Sequence, residues 1–97
     1  MTDDEAMSKR FEALASAINR HSIELVALRP RTRAELKRHL DRTGGQLDFA
    51  GKQLCSLNFL TVAQNPERYD YDPRGLAAIL KWITRIESIQ SGISHKS

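Results

Sequence analysis

Met7, Phe11, Leu14 and Ile18 fall at spacings of four, three and four, one apolar stripe at the helical period that predicts a helix near residues 4–19. Ile23, Leu25, Val26, Ala27 and Leu28 follow between Asn19 and Pro30, a run too apolar for a surface, so a short buried helix comes second and ends at the proline. Leu36 and Leu40 mark a third helix near 33–41. Leu47, Ala50, Leu54 and Leu57 give a fourth near 46–58, which turns Asp48, Phe49, Lys52, Gln53 and Ser56 the other way. The period then drops to two, at Leu60 and Val62 and again at Tyr69 and Tyr71, around Asn65-Pro66, which predicts a small β-hairpin over residues 60–71. Leu76, Ile79, Leu80, Trp82, Ile83, Ile86 and Ile89 restore the helical period near 73–91, ahead of a frayed tail at 92–97.

Helix starts are legible independently of the stripes. Thr2-x-x-Glu5, Thr32-x-x-Glu35 and Thr43-x-x-Gln46 each fit the capping box, in which hydroxyl and carboxylate or amide satisfy orphaned backbone N–H groups. Asp72-Pro73 starts the last helix, with Asp as N-cap and Pro where a missing N–H costs nothing. The expected class is mainly α with a β-hairpin, about five helices in one domain over residues 1–97, because 97 residues cannot supply two cores.

Charge changes the picture only locally. The net charge of +3 is too small to announce a partner, but residues 29–42 hold six basic residues against two acidic ones, whereas the first helix opens on Asp3, Asp4 and Glu5. No apolar run approaches a membrane span, the acidic start is unlike a secretory signal, and a lone Cys55 forms no intrachain disulfide, so a cytoplasmic chain without a membrane partner is expected. Cys55 has no resolving partner for a redox cycle. Paired carboxylates, clustered histidines and a phosphate-binding glycine loop are all missing, and Gly44-Gly45 reads as turn chemistry, so no enzyme, metal or cofactor is expected.

Four helices, a hairpin and a last helix, with a tight basic connection between the third and fourth helices, make the order of a winged helix-turn-helix. Residues from about Arg10 to Ile83 resemble the ArsR-type winged-helix repressors. Asn19-Arg20-His21-Ser22-Ile23-Glu24-Leu25-Val26-Ala27-Leu28 sits where that family has its "DPTRLRILELL"-like second helix, Thr32-Arg33-Ala34-Glu35-Leu36 matches the "TVGEL"-like opening of the third, and Lys52-Gln53-Leu54-Cys55-Ser56-Leu57 stands at "RHLKVL". Tyr69-Asp70-Tyr71-Asp72-Pro73-Arg74-Gly75-Leu76 followed by Trp82 is similar to "YRLDPEAL…WL" and is the most specific match. Two departures stand out: Arg33 takes the place of a buried aliphatic residue, and Thr43-Gly44-Gly45-Gln46-Leu47-Asp48-Phe49 replaces a polar "LSQPT"-like turn. The thiolates of metal-sensing members are missing at Thr32-Arg33-Ala34-Glu35-Leu36, and the last helix offers only Glu87, with His95 in the tail, so the resemblance implies no metal switch here.

A duplex partner needs cations for phosphates and side chains that reach base edges. Arg31, Arg33, Lys37, Arg38, Arg42 and Thr43 suit the first task, while Gln46, Phe49, Lys52, Gln53 and Ser56 suit the second, with Arg68 at the wing tip for a minor groove. Asp48 is expected to pair with Lys52 four residues on.

The apolar arc of the last helix spans about 180°, more than the roughly 100° that docks a helix on its own core. A second copy covering the excess gives a homodimer with Phe11, Leu14, Ile79, Trp82, Ile83, Ile86 and Ile89 in the seam, and the other possibility is that the first helix wraps the surplus face. The sequence therefore points to a homodimeric repressor of an inverted-repeat operator on double-stranded DNA, constitutive or governed by a protein effector. Its competitors are a winged-helix adaptor or phage- or plasmid-type inhibitor whose basic patch meets an acidic protein, and a non-specific architectural DNA binder.

Overall fold

The structure, a computed structural model, describes residues 2–96, with side chains through Gly92. Its elements run α1 (Asp3–Leu14), α2 (Ala17–Leu28), α3 (Arg33–Leu40), α4 (Gly44–Ser56), β1 (Leu60–Ala63), β2 (Arg68–Tyr71) and α5 (Pro73–Lys96). Five helices and an antiparallel hairpin are those the sequence predicts.

Capping sets most of the boundaries. Thr32 and Thr43 each accept from the N–H three residues on, and Glu35 and Gln46 return the bond to the threonine N–H, so both capping boxes close. At α1 Thr2 accepts from the Glu5 N–H, giving the first half of the motif. The Asp72 carboxylate accepts from the Arg74 N–H at 3.0 Å and from its guanidinium at 2.8 Å, and it is buried as it starts α5.

The first helix is shorter than its stripe suggests. It ends at Leu14, Ser16 starts α2, and the buried Asn19 side chain donates to the Ala13 carbonyl at 2.8 Å. Ile18 thus packs on the core from α2. In α4 the helix begins at Gly44, directly after its cap Thr43, and ends at Ser56 with Leu57 as C-cap, two residues before its predicted limits at both ends. The last helix continues to Lys96, past the predicted end near 91, so of the expected tail only Ser97 lies outside the described residues, and the side chain of His95 does too.

The core joins Val26 of α2, Leu36 of α3, Leu47 and Leu54 of α4, Leu60 of β1 and Ile79 of α5 around Phe59. Phe59 is fully buried although it lies between α4 and β1, held by its N–H to the Leu54 carbonyl at 2.9 Å and by Asp72 N–H donating to its carbonyl at 3.0 Å. Leu60 pairs with Tyr71 and Val62 with Tyr69. Val62, two residues on from the buried Leu60, is exposed, while its partner Tyr69 packs against the core.

One element escaped the pattern. Arg31 exchanges both backbone hydrogen bonds with Tyr69, at 3.1 and 2.8 Å, so the α2–α3 connection adds a one-residue third strand to the hairpin. Among the described residues no helix is long and apolar enough to cross a membrane.

Candidate nucleic-acid interface

Leu47, Ala50, Gly51 and Leu54 bury one side of α4. At 100° per residue the opposite side centres on Gly45, Phe49, Lys52 and Ser56, all exposed and spaced i, i+4, i+7, i+11. Phe49 is 71% exposed, and nothing in the protomer's core requires an aromatic residue there.

The two edges of this face differ. On one, α3 and the wing press close: the Arg33 guanidinium spans to Asp48, with Nε donating at 2.7 Å and Nη2 at 3.2 Å, and Tyr69 from β2 sets its hydroxyl against Gly51. This fork holds the Asp48 carboxyl below its ordinary range and raises the Arg33 guanidinium. On the other edge Gln53 is half-buried, its amide oxygen accepting from Asn19 of α2 at 3.0 Å.

The candidate cations sort into two groups. Arg31 is only 7% exposed: Nε donates to the Leu25 carbonyl at 3.0 Å and Nη1 lies 3.5 Å from His39 Nε2, so it closes the end of α2 instead of facing outward as expected. The backbone pairing with Tyr69 carries its side chain inward. Arg33 is exposed but engaged by Asp48, which corrects the expected Asp48–Lys52 pair: the planar guanidinium matches both carboxylate oxygens, which an ammonium cannot. Arg68 pairs with Asp70 at 3.3 Å and donates to the Gln64 and Pro66 carbonyls, so it braces the wing turn. Lys37, Arg38, Arg42 and Lys52 are exposed, and among the described residues none is in an ion pair.

At the start of α4, Thr43 and Gln46 spend a hydroxyl and an amide oxygen on each other's backbone N–H, which leaves the Gly44 and Gly45 N–H groups as that helix end's open donors. Any Cβ on Gly44 would collide with the Arg33 guanidinium, which therefore lies across this same turn.

Three helices, the α3–α4 pair joined by a three-residue turn, and a hairpin whose second strand braces both the α2–α3 connection and α4 decide the architecture. The fold is a winged helix-turn-helix. A solved structure of an ArsR family transcriptional regulator, RHA00566, superposes with a TM-score of 0.83 over 93% of this chain and 95% of that one, at 15% identity. The structure of M. tuberculosis Rv0081 superposes with a TM-score of 0.64 over 87% of this chain and 91% of that one, at 21% identity. No family model and no curated protein matches the sequence.

The winged-helix frame also sorts the expected seam. Ile79 is buried in the protomer's own core and Leu14 packs against it, so these two are not surface residues. Phe11 meets Trp82 edge to face, with centroids 5.5 Å apart, so α1 covers part of the surplus face of α5. Trp82, Ile83, Ile86 and Ile89 remain exposed, Ile89 at 52%. Burial pushes the Cys55 thiol up, which disfavours the thiolate form. Among the described residues no three His, Cys, Asp or Glu side chains are grouped to hold a metal.

Proposed function

We propose that this chain is a DNA-binding transcriptional regulator whose α4 enters the major groove. The observation that carries the reading is the exposed Gly45–Phe49–Lys52–Ser56 line on the second helix of a helix-turn-helix, together with the exposed cations Lys37, Arg38 and Arg42, none of them in an ion pair among the described residues. Lys52 suits guanine, Phe49 a thymine methyl, and the Gln53 amide nitrogen an acceptor on an adjacent base. Lys37, Arg38 and Arg42, with the open N–H groups of Gly44 and Gly45, meet the phosphates. Exposed Trp82, Ile83, Ile86 and Ile89 form the seam of a homodimer, which sets two α4 helices on half-sites of an inverted repeat about 34 Å apart. Repression by occlusion of the operator follows.

One observation favours a second reading, a protein-binding winged helix: an aromatic ring as exposed as Phe49 is also what a protein partner buries. Replacing Lys52 and Phe49 together with Ala separates the two. The DNA reading expects loss of site preference with the dimer mass unchanged, and undiminished selectivity would remove α4 from base reading.

A further inference from the structure

On the edge of α4 away from the wing, a groove of about 550 Å³ opens between the α1–α2 corner and the first turns of α4. Ile18 and Phe49 give it apolar walls, the Asn19–Gln53 hydrogen bond lies along it, and Glu12 and Arg42 line it from separate elements. Its size falls within the roughly 300–1,000 Å³ of small-molecule sites.

We propose that this groove is an effector site for an aromatic monocarboxylate, whose occupation excludes DNA from α4. The ring packs on Phe49, which is 71% exposed and would otherwise keep an apolar face in water. The carboxylate takes the fork of Arg42, which is in no ion pair among the described residues. Asn19 spends its amide hydrogens on the Ala13 carbonyl and on Gln53 Oε1, which leaves the Gln53 amide nitrogen as the donor for a second ligand oxygen. Glu12 disfavours a second anionic group, which narrows the class to monoanions.

The exclusion rests on the DNA reading given above, because Arg42, Phe49 and Gln53 belong to both surfaces. A ligand holding them for itself withdraws a phosphate contact and two base contacts at once, and linkage makes the antagonism mutual.

The test titrates the full chain with 2-naphthoate, in parallel with 2-naphthylmethylamine, and follows the amide signals of Ile18, Asn19 and Gln53 by NMR without DNA. Saturable shifts are expected, with the carboxylate binding tighter than the amine. Arg42→Gln should weaken it about tenfold, and Glu12→Gln should tighten it about two- to threefold. Saturating naphthoate should also release a duplex bound by the wild-type chain. Absence of saturation, preference for the amine, or indifference to Arg42→Gln overturns the site, and a duplex that stays bound at saturation overturns the exclusion. A failure of the DNA reading would look different: no duplex bound at any naphthoate concentration, which overturns the exclusion but leaves the binding result standing.

Discussion

The hydroxyl of Tyr69 rests against Gly51, so the wing touches α4 at the one buried position of that helix with no side chain. A Cβ there would come within 2.5 Å of the hydroxyl and 3.0 Å of the ring carbon that bears it. The same Tyr69 pairs through its backbone with Arg31 and Val62, so one residue ties the α2–α3 connection, the hairpin and α4 into one body.

Gly51→Ala is therefore expected to destabilise the fold by about 1–3 kcal/mol, the usual cost of forcing an added carbon into a packed contact. Tyr69→Phe in the same chain should restore part of that loss by removing the clashing oxygen. Urea denaturation of the two single variants and the double variant checks this: additive losses would show that the hydroxyl and the glycine do not meet.

Arg31 and Arg42 make opposite predictions although both belong to the same basic segment. Arg31→Ala should lower stability by about 1–2 kcal/mol, since it opens a buried gap and removes one of the two donors to the Leu25 carbonyl, leaving only the Arg29 N–H, and it should leave the salt dependence of DNA binding unchanged. Arg42→Ala should leave stability within about 0.5 kcal/mol and lower the slope of log K against log salt by about one. Equal effects of the two on the salt slope would contradict the inward placement of Arg31.

Asp48→Asn releases Arg33 from its fork and removes an anion from the presented face. Tighter DNA binding with a steeper salt slope is expected, read by anisotropy titrations at several salt concentrations. Weaker binding would mean that the carboxylate itself contacts a base, as a cytosine amino group would allow.

The Asp72 carboxyl is held below its ordinary value chiefly by the Arg74 guanidinium, with the Arg74 N–H adding to this. A depressed folded-state value means that its contribution is complete above the unfolded value of about 3.9 and is lost as the pH falls through the lower folded value. Acid unfolding should thus begin below about pH 4, and Asp72→Ala should flatten that limb while costing about 1 kcal/mol at neutral pH through loss of the α5 cap. An acid limb unchanged by the substitution would remove Asp72 as its source.

Ile86→Ser with Ile89→Ser should halve the mass in solution or produce aggregates, because both side chains are exposed on α5. A stable dimer of the double variant would refute the seam.

Much of this architecture is written in short-range signals. Thr32, Thr43 and Asp72 fix three helix starts by local capping, and alternation at Tyr69 and Tyr71 fixes the second wing strand. What the sequence concealed depends on partners distant along the chain. Arg31 reads as a surface cation until its backbone meets Tyr69, 38 positions on. Phe59 belongs to no periodic stripe, so its place at the centre of the core shows only once α4, β1 and α5 surround it. Arg33 and Asp48 lie 15 residues apart, beyond the i, i+4 spacing that favoured Lys52. Within the candidate interface, Lys37, Arg38, Arg42, Phe49 and Lys52 keep the exposed positions expected of them, whereas Arg31, Gln53 and Arg68 are engaged by the fold itself.

Selection of bound duplexes from a random pool at near-physiological salt, with the mass of the protein measured in the same buffer, decides whether α4 reads an operator as part of a dimer. Enrichment of an inverted repeat with half-sites one helical turn apart, bound by a dimer, is the predicted result. Recovery of no motif, or of a motif without two-fold symmetry bound by a monomer, would contradict it.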